Sequence, residues 1–230
     1  MAWEALWLYV IVALLLRLAV SWAWKGRLPM SQMIAKSHST RAARDSGPAD
    51  APESMDSIRQ RLSEANAAYT RRHEPLTLPG APRLALAIVA CVDPRLTGRL
   101  EPMLGLKPGD ATMVRVAGNT IGGTDDISRS LAVAVFEQGV RYVVVVGHTD
   151  CGVAKVEPLE FAERLSERGI SRFALGALPL REWLGVFRNE AQNVRDTVQK
   201  LRTAPMLPKD VAVAGALLDV HTGELTWLDE

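Results

Sequence analysis

Two short, almost wholly apolar runs constrain this chain more than any other feature. Leu84 to Ala90 reads LALAIVA and Tyr142 to Val146 reads YVVVV, each bounded by polar or turn-forming residues. Runs of this length and composition fit strands buried on both faces. Such strands belong in a mainly parallel sheet with helices packed over it. The segments between them agree. Ala111 to Val116 is a second candidate strand, preceded by the turn signal Lys107-Pro108-Gly109-Asp110. Ile121 to Asp126 reads as a loop into a helix, with Thr124 or Asp125 as N-cap. That helix is expected to run to about Gln138, placing Ile127, Leu131, Ala134 and Val135 on one side, with Gly139 ending it. Phe161 to Arg168 and Arg181 to Arg202 read as helices, and Val211 to Val220 as a strand. A turn at His221-Thr222-Gly223-Glu224 and a short return at Leu225 to Leu228 suggest a hairpin. The expected fold class is α/β, a mainly parallel central sheet flanked by helices. Ligands in such sheets bind beyond the carboxyl ends of the strands.

The part of the chain before this domain is of a different kind. From Ala5 to Trp24 it is apolar apart from Arg17 and Ser21, and Trp3, Trp7, Trp22 and Trp24 cluster near the two ends of the span. That length and those flanks suit a membrane anchor, against which Arg17 stands as the objection. Lys25, Arg27, Lys36, Arg41 and Arg44 follow it, so an anchor would leave the main domain in the cytoplasm, tethered to the inner face of the membrane. The other reading is a misassigned start, because Met30, Met33 or Met55 could each open a soluble chain. Residues 1–30 are therefore an anchor or an artefact of the start. Residues 31–54, rich in Ser, Ala, Arg, Asp and Pro, read as a flexible linker. Residues 55–230 form the functional domain with an N-terminal helical arm. In that arm, from Met55 to about His73, Ile58, Leu62, Ala65 and Tyr69 recur at spacings of three and four as one apolar stripe.

Charge and cysteine usage narrow the function. The formal net charge is +1, which argues against a nucleic-acid partner. Two cysteines in 230 residues are too few for a disulfide-built secreted scaffold. Both fall where ligands bind in an α/β sheet. Cys91 directly follows LALAIVA, and His148 and Cys151 follow YVVVVG. Two thiolates and an imidazole match the preference of zinc (Zn2+) for sulfur and nitrogen, and no fourth Cys or His lies close by. A zinc site with an open position is catalytic, and the metal lowers the pKa of bound water to about 7. Asp93 and Arg95 follow Cys91 in the same loop. Asp93 could bind the metal directly, or accept a hydrogen bond from its water while a bidentate pair with Arg95 holds it off. Taken singly, each group has a plainer explanation: a buried core thiol, a hydrogen-bonded structural histidine, a surface ion pair. Cys-x-Asp-x-Arg after one strand and His-x-x-Cys after another, taken together, favour the metal site. His38, His73 and His221 read as linker, helix end and turn.

At these residues the sequence resembles the beta-class carbonic anhydrases, whose zinc motif pairs Cys-x-Asp-x-Arg with a later His-x-x-Cys. The matching stretches are CVDPR from Cys91 and HTDCG from His148. The resemblance runs from about Leu84 to Val156, and more weakly to GALLDVHTGEL from Gly215. It leaves residues 1 to about 54 uncovered. It implies a zinc lyase that interconverts carbon dioxide and bicarbonate, with Cys91, His148 and Cys151 as metal ligands, water or Asp93 in fourth place, and Asp93 and Arg95 as a catalytic dyad. It also implies a homodimer or higher homo-oligomer in which the Met55–His73 helix could lie over a partner. One departure is visible: the family usually reads Arg-Asn-Ala-Gly after the second strand, and here the residues are Arg115-Val116-Ala117-Gly118-Asn119. Two alternatives remain open. Carbonyl sulfide and carbon disulfide hydrolases resemble the same family and use the same ligands. A silent, zinc-stabilised module tethered to the membrane would need no Asp93–Arg95 pair.

Overall fold

The computed structural model describes residues 53–73, 75–122, 126–175 and 179–228. The apolar segment 5–24 and most of the expected linker lie outside them, as do Thr124 and Asp125. Among the described residues no helix is long and apolar enough to cross a membrane. The chain divides into two compact units, 1–74 and 75–230. In the first unit the expected arm is present as α1 (Met55–Arg72). Ser54 caps it by accepting from the Ser57 N–H, Asp56 sits in its first turn, and Arg71 and Arg72 sit in its last, as the helix dipole favours. None of its residues is buried.

The second unit is built on one sheet. Strands β1 (Leu86–Cys91), β2 (Ala111–Val116), β3 (Tyr142–His148) and β4 (Ala212–Leu218) run parallel, and β5 (Leu225–Trp227) returns antiparallel to β4 as the expected hairpin. The spatial order is β2-β1-β3-β4-β5. The chain thus steps from β1 to one neighbour and then crosses to the other. The switch in direction lies between β1 and β3, where an open α/β sheet forms its ligand crevice. Ala87 pairs with Val143 and Ala90 with Val146, so the two strands end side by side.

Alternation along β1 serves two cores. Ala87 and Val89 face one side, with Ile127, Leu131 and Ala134 of α3 (Asp126–Phe136) and with Val194, Val198 and Leu201 of the long C-terminal helix over residues 190–203. Ile88 and Ala90 face the other side, where Leu96 and Leu100 are fully buried. The C-terminal helix lies unusually close to the sheet. A Cβ added at Gly147 would come within 2.4 Å of Val194 Cγ2, and one at Gly215 within 2.7 Å of Val194 Cγ1. The glycines of β3 and β4 are the space into which Val194 packs.

Several boundaries differ from the sequence expectation. The first strand begins at Leu86 rather than Leu84, because Ala85 sits at φ 50 in a turn. α3 stops at Phe136, two residues early, with Gly139 at φ 71 in the turn that follows. The helix expected near Phe161 starts earlier, at Pro158, as α4 (Pro158–Glu167), with proline in the first turn. The single helix expected over 181–202 is two: α5 (Leu180–Leu184) and α6 (Glu190–Thr203). Gly185 ends α5 in the left-handed conformation, and Asn189 caps α6 by accepting from the Gln192 N–H at 2.8 Å. The only α-helical turn between β1 and β2 among the described residues is α2 (Leu100–Met103).

Candidate metal centre

The three sequence-predicted ligands meet. Cys91 is the last residue of β1 and His148 the last of β3, and Cys151 follows one turn later. Their donor atoms lie within 4.8 Å of one another and all three residues are buried. The turn between His148 and Cys151 closes through Asp150, whose φ of 56 places it in the left-handed region. Thr149 ties the turn to the neighbouring strand: its N–H donates to the Leu218 carbonyl and its hydroxyl accepts from the Val220 N–H.

These residues can be tested against zinc on their own geometry. Two zinc–sulfur bonds of about 2.3 Å at the tetrahedral angle place the sulfurs about 3.8 Å apart; the Cys91 and Cys151 Sγ atoms are 3.9 Å apart. His148 Nδ1 lies 2.8 Å from the Thr149 carbonyl oxygen, which assigns the ring proton to Nδ1. Nε2 is then a bare acceptor, buried and without a hydrogen-bond partner. A buried orphan of this kind is costly unless something binds it. A carbonyl holding the far nitrogen is also how metal-ligating histidines are oriented. The donor set fits the metal.

The thiols behave as a coupled pair. The Cys151 thiol beside Cys91, together with the Gly118 N–H at 3.3 Å, holds the Cys91 thiol well below its usual range. Cys151, facing that thiolate in a buried place, is pushed up. Two thiolates at this separation cannot both ionise unaided, and a divalent cation between them removes that conflict.

Asp93 lies beside the cluster. Its Oδ2 is 3.9 Å from His148 Nε2, and both of its oxygens are engaged by Arg95. Oδ1 accepts from the Arg95 main-chain N–H at 2.9 Å and from Nε at 3.0 Å, and Oδ2 accepts from Nη2 at 2.8 Å. The side-chain bond to Arg95 is the main reason the Asp93 carboxyl sits below the ordinary carboxylate range. The same pairing raises Arg95 further above neutrality. Asp93 also caps the turn Pro94–Leu96 that carries Arg95, so the dyad is built into local backbone as well as side-chain contact.

Other residues at the site went unassigned in the sequence reading. Asp150 accepts from Lys155 Nζ and from Arg95 Nη1 at 2.7 Å, contacts that hold its carboxyl down at about 2. It stands inside the HTDCG motif, so its presence was visible but its partner was not. Phe187 and Val153 pack against the core that includes both cysteines. A Cβ on Gly118, whose φ is 67, would meet Phe187 Cε1 at 2.8 Å and Val153 Cγ1 at 3.1 Å. Val116 stands where the family pattern has Asn, and an amide from elsewhere reaches the turn that follows. Asn193 of α6 donates to the Gly118 carbonyl at 2.8 Å, while its oxygen accepts from the Thr120 hydroxyl at 3.0 Å. No local signal could have linked Asn193 to this turn.

A profile of the carbonic anhydrase family matches residues 86–176. Beta-carbonic anhydrase 1 of Mycobacterium tuberculosis is 32% identical over 149 residues, which are 64% of this chain and 84% of that protein. The crystal structure of beta-carbonic anhydrase isoform I from Trichomonas vaginalis superposes with a TM-score of 0.68 at 29% identity, covering 76% of this chain and 98% of that one. A carbon disulfide hydrolase from Saccharolobus solfataricus is 29% identical over 157 residues, 61% of this chain and 75% of that protein. With the motif residues gathered at the tips of two adjacent parallel strands and relatives matched over most of their length, the chain belongs to the beta-class carbonic anhydrase family.

Proposed function

We propose that this chain catalyses the reversible hydration of carbon dioxide to bicarbonate and a proton at a zinc centre held by Cys91, His148 and Cys151. The observation that carries the reading is the buried convergence of two sulfurs and an unpartnered imidazole nitrogen beside the Asp93–Arg95 pair. Cys91, His148 and Cys151 would hold the zinc, which would supply Lewis acidity sufficient to bring the pKa of a water to about 7.

The protein's own groups do the rest. The Thr149 carbonyl fixes the His148 ring so that Nε2 points into the cluster. Arg95 keeps the Asp93 carboxylate ionised and aimed, with spare acceptor capacity on Oδ2 to take a hydrogen bond from a reacting water and orient it. Three bonds to Arg95 tether Asp93 on the guanidinium side, which supports water rather than Asp93 in fourth place. Phe187 and Val153 pack beside Gly118 against the core that holds both cysteines, which makes the surroundings of the cluster apolar.

Stopped-flow hydration of carbon dioxide by protein of measured zinc content tests the proposal. Negligible hydration by the zinc-loaded chain ends it. The kinship with a carbon disulfide hydrolase supports a second reading, hydrolysis of carbon disulfide or carbonyl sulfide on the same ligands. Sulfide release measured beside carbon dioxide hydration separates the two. The Asp93–Arg95 pair speaks against a silent structural module, which has no use for it.

Assembly and placement complete the proposal. The unburied apolar stripe of α1 suits a homodimer or higher homo-oligomer, which light scattering would register as a mass of at least twice 25.1 kDa. The tryptophan-flanked segment 5–24 would hold a cytoplasmic catalytic domain at the inner face of the membrane, with residues 31–54 as its tether. Recovery of full-length protein from the soluble fraction alone would exclude that tether.

A further inference from the structure

We propose that Asp150 is a positioning residue, clamping the outer edge of the Arg95 guanidinium and through it fixing the Asp93 carboxylate beside the Cys91–His148–Cys151 cluster. Arg95 is a flat fork of five N–H donors. Nε and Nη2 go to the two Asp93 oxygens, on the Arg95 side of the crevice. Nη1 donates to Asp150 Oδ2 at 2.7 Å, and Nη2 also donates to the Asp150 carbonyl at 2.9 Å. The guanidinium is thus a plate held on both edges, between the loop after β1 and the turn after β3. Those two segments carry Cys91 and Cys151, so the strap spans the two halves of the metal site.

The placement of Asp150 depends on its backbone. At φ 56 it occupies a region uncommon for residues other than glycine and better tolerated by aspartate than by most. That conformation presents both its carbonyl and its carboxylate to Arg95. Lys155 Nζ takes Oδ1 and leaves Oδ2 for the guanidinium. An isolated exposed ion pair has little effect on stability or geometry. This one differs because Arg95 is already anchored at its other edge and the second contact is two-pronged. Arg95 is 36% exposed, so without the Asp150 carboxylate Nη1 faces solvent and the fork can pivot about its bonds to Asp93. A pivot there would turn the carboxylate to which the proposed function assigns the reacting water.

The inference rests on the roles of Asp93 and Arg95 proposed above, and its test is arranged to fail separately from them. Asp150→Gly and Asp150→Asn both tolerate the left-handed backbone. With folding checked by thermal melting and zinc measured directly, Asp150→Gly is expected to retain its metal. It should lose about tenfold in kcat with KM changed less than about twofold, as misplacement of a reacting group does. Asp150→Asn, which keeps an acceptor, should recover part of the loss. In an Asp93→Asn background, Asp150→Gly should add almost nothing, because the path through Arg95 then ends on a disabled group. Independently of activity, hydrogen exchange of the Arg95 Nε–H, assigned by Arg95→Lys in nitrogen-15 spectra, should accelerate about tenfold in Asp150→Gly as the fork loosens. Unchanged exchange, full additivity with Asp93→Asn, or zinc loss in step with lost rate each overturns the proposal. Wild-type protein that hydrates no carbon dioxide, yet shows the accelerated exchange in the variant, overturns the functional reading and leaves the positioning role standing.

Discussion

Replacing Gly118 with Ala tests how tightly the ligand cluster is built into the fold. Gly118 follows β2, adopts φ 67, and gives its N–H to Cys91 Sγ at 3.3 Å. Alanine there carries two separable costs. Holding a Cβ in the left-handed region costs about 1–2 kcal/mol. The new methyl also falls 2.8 Å from Phe187 Cε1 and 3.1 Å from Val153 Cγ1, and overpacking of this kind adds about 1–3 kcal/mol. Gly98 supplies the control, with φ 68 and nothing within 4 Å of an added Cβ. Gly98→Ala therefore carries the backbone cost alone. Urea unfolding of both variants, with and without zinc, should place Gly118→Ala about 1–3 kcal/mol below Gly98→Ala. Relieving the clash must move Phe187, Val153 or the Gly118 amide, all beside the cysteines, so Gly118→Ala should also bind zinc more weakly. A gap below about 0.5 kcal/mol between the two variants would refute the steric argument, since independent surface changes already scatter by that much.

Other outcomes follow from the same contacts. His148→Ala removes the imidazole nitrogen from the donor set, and zinc per chain measured by mass spectrometry should fall by at least about tenfold at matched free zinc. Stripping zinc from the wild type should lower its melting temperature, because a ligand at a thousand times its Kd stabilises the native state by about 4 kcal/mol; equal melts with and without chelator would count against a metal in the cluster. Asp93→Asn should reduce the rate of carbon dioxide hydration while leaving zinc content nearly unchanged, and an unaffected rate would exclude Asp93 from the reaction. Asp110 tests pH dependence away from the site. The Lys107 N–H and then Arg83 hold its carboxyl below the usual range. Its contribution is present above the unfolded value of about 3.9 and is lost as pH falls through the lower folded value. Asp110→Asn should therefore flatten the fall in urea midpoint as the pH is lowered below about 4, and an unchanged slope there would exclude Asp110 from the acid transition.

Local pattern made much of this protein legible. The strand at 111–116 and the helix from Met55 were readable because a turn signal and an apolar period each act within a few residues. The candidate ligands Cys91, His148 and Cys151 were readable too, since residue type and position at strand ends both bear on metal chemistry. The break at Gly185–Asn189 was missed because 181–202 was read as one helical stretch. The left-handed glycine and the new N-cap each stop a helix by backbone geometry that the period does not express.

By itself the sequence determined the element types, the α/β class and the three donor residues, because each depends on short-range sterics and on side-chain chemistry. Only the tertiary structure decided that β1 and β3 lie adjacent and in register, which brings sulfurs 60 residues apart to 3.9 Å. It also decided that Asn193 reaches the Gly118 turn and that Asp150 shares Arg95 with Asp93. Such contacts join groups distant in the chain, and their partners are chosen by how the packed helices and strands direct each side chain.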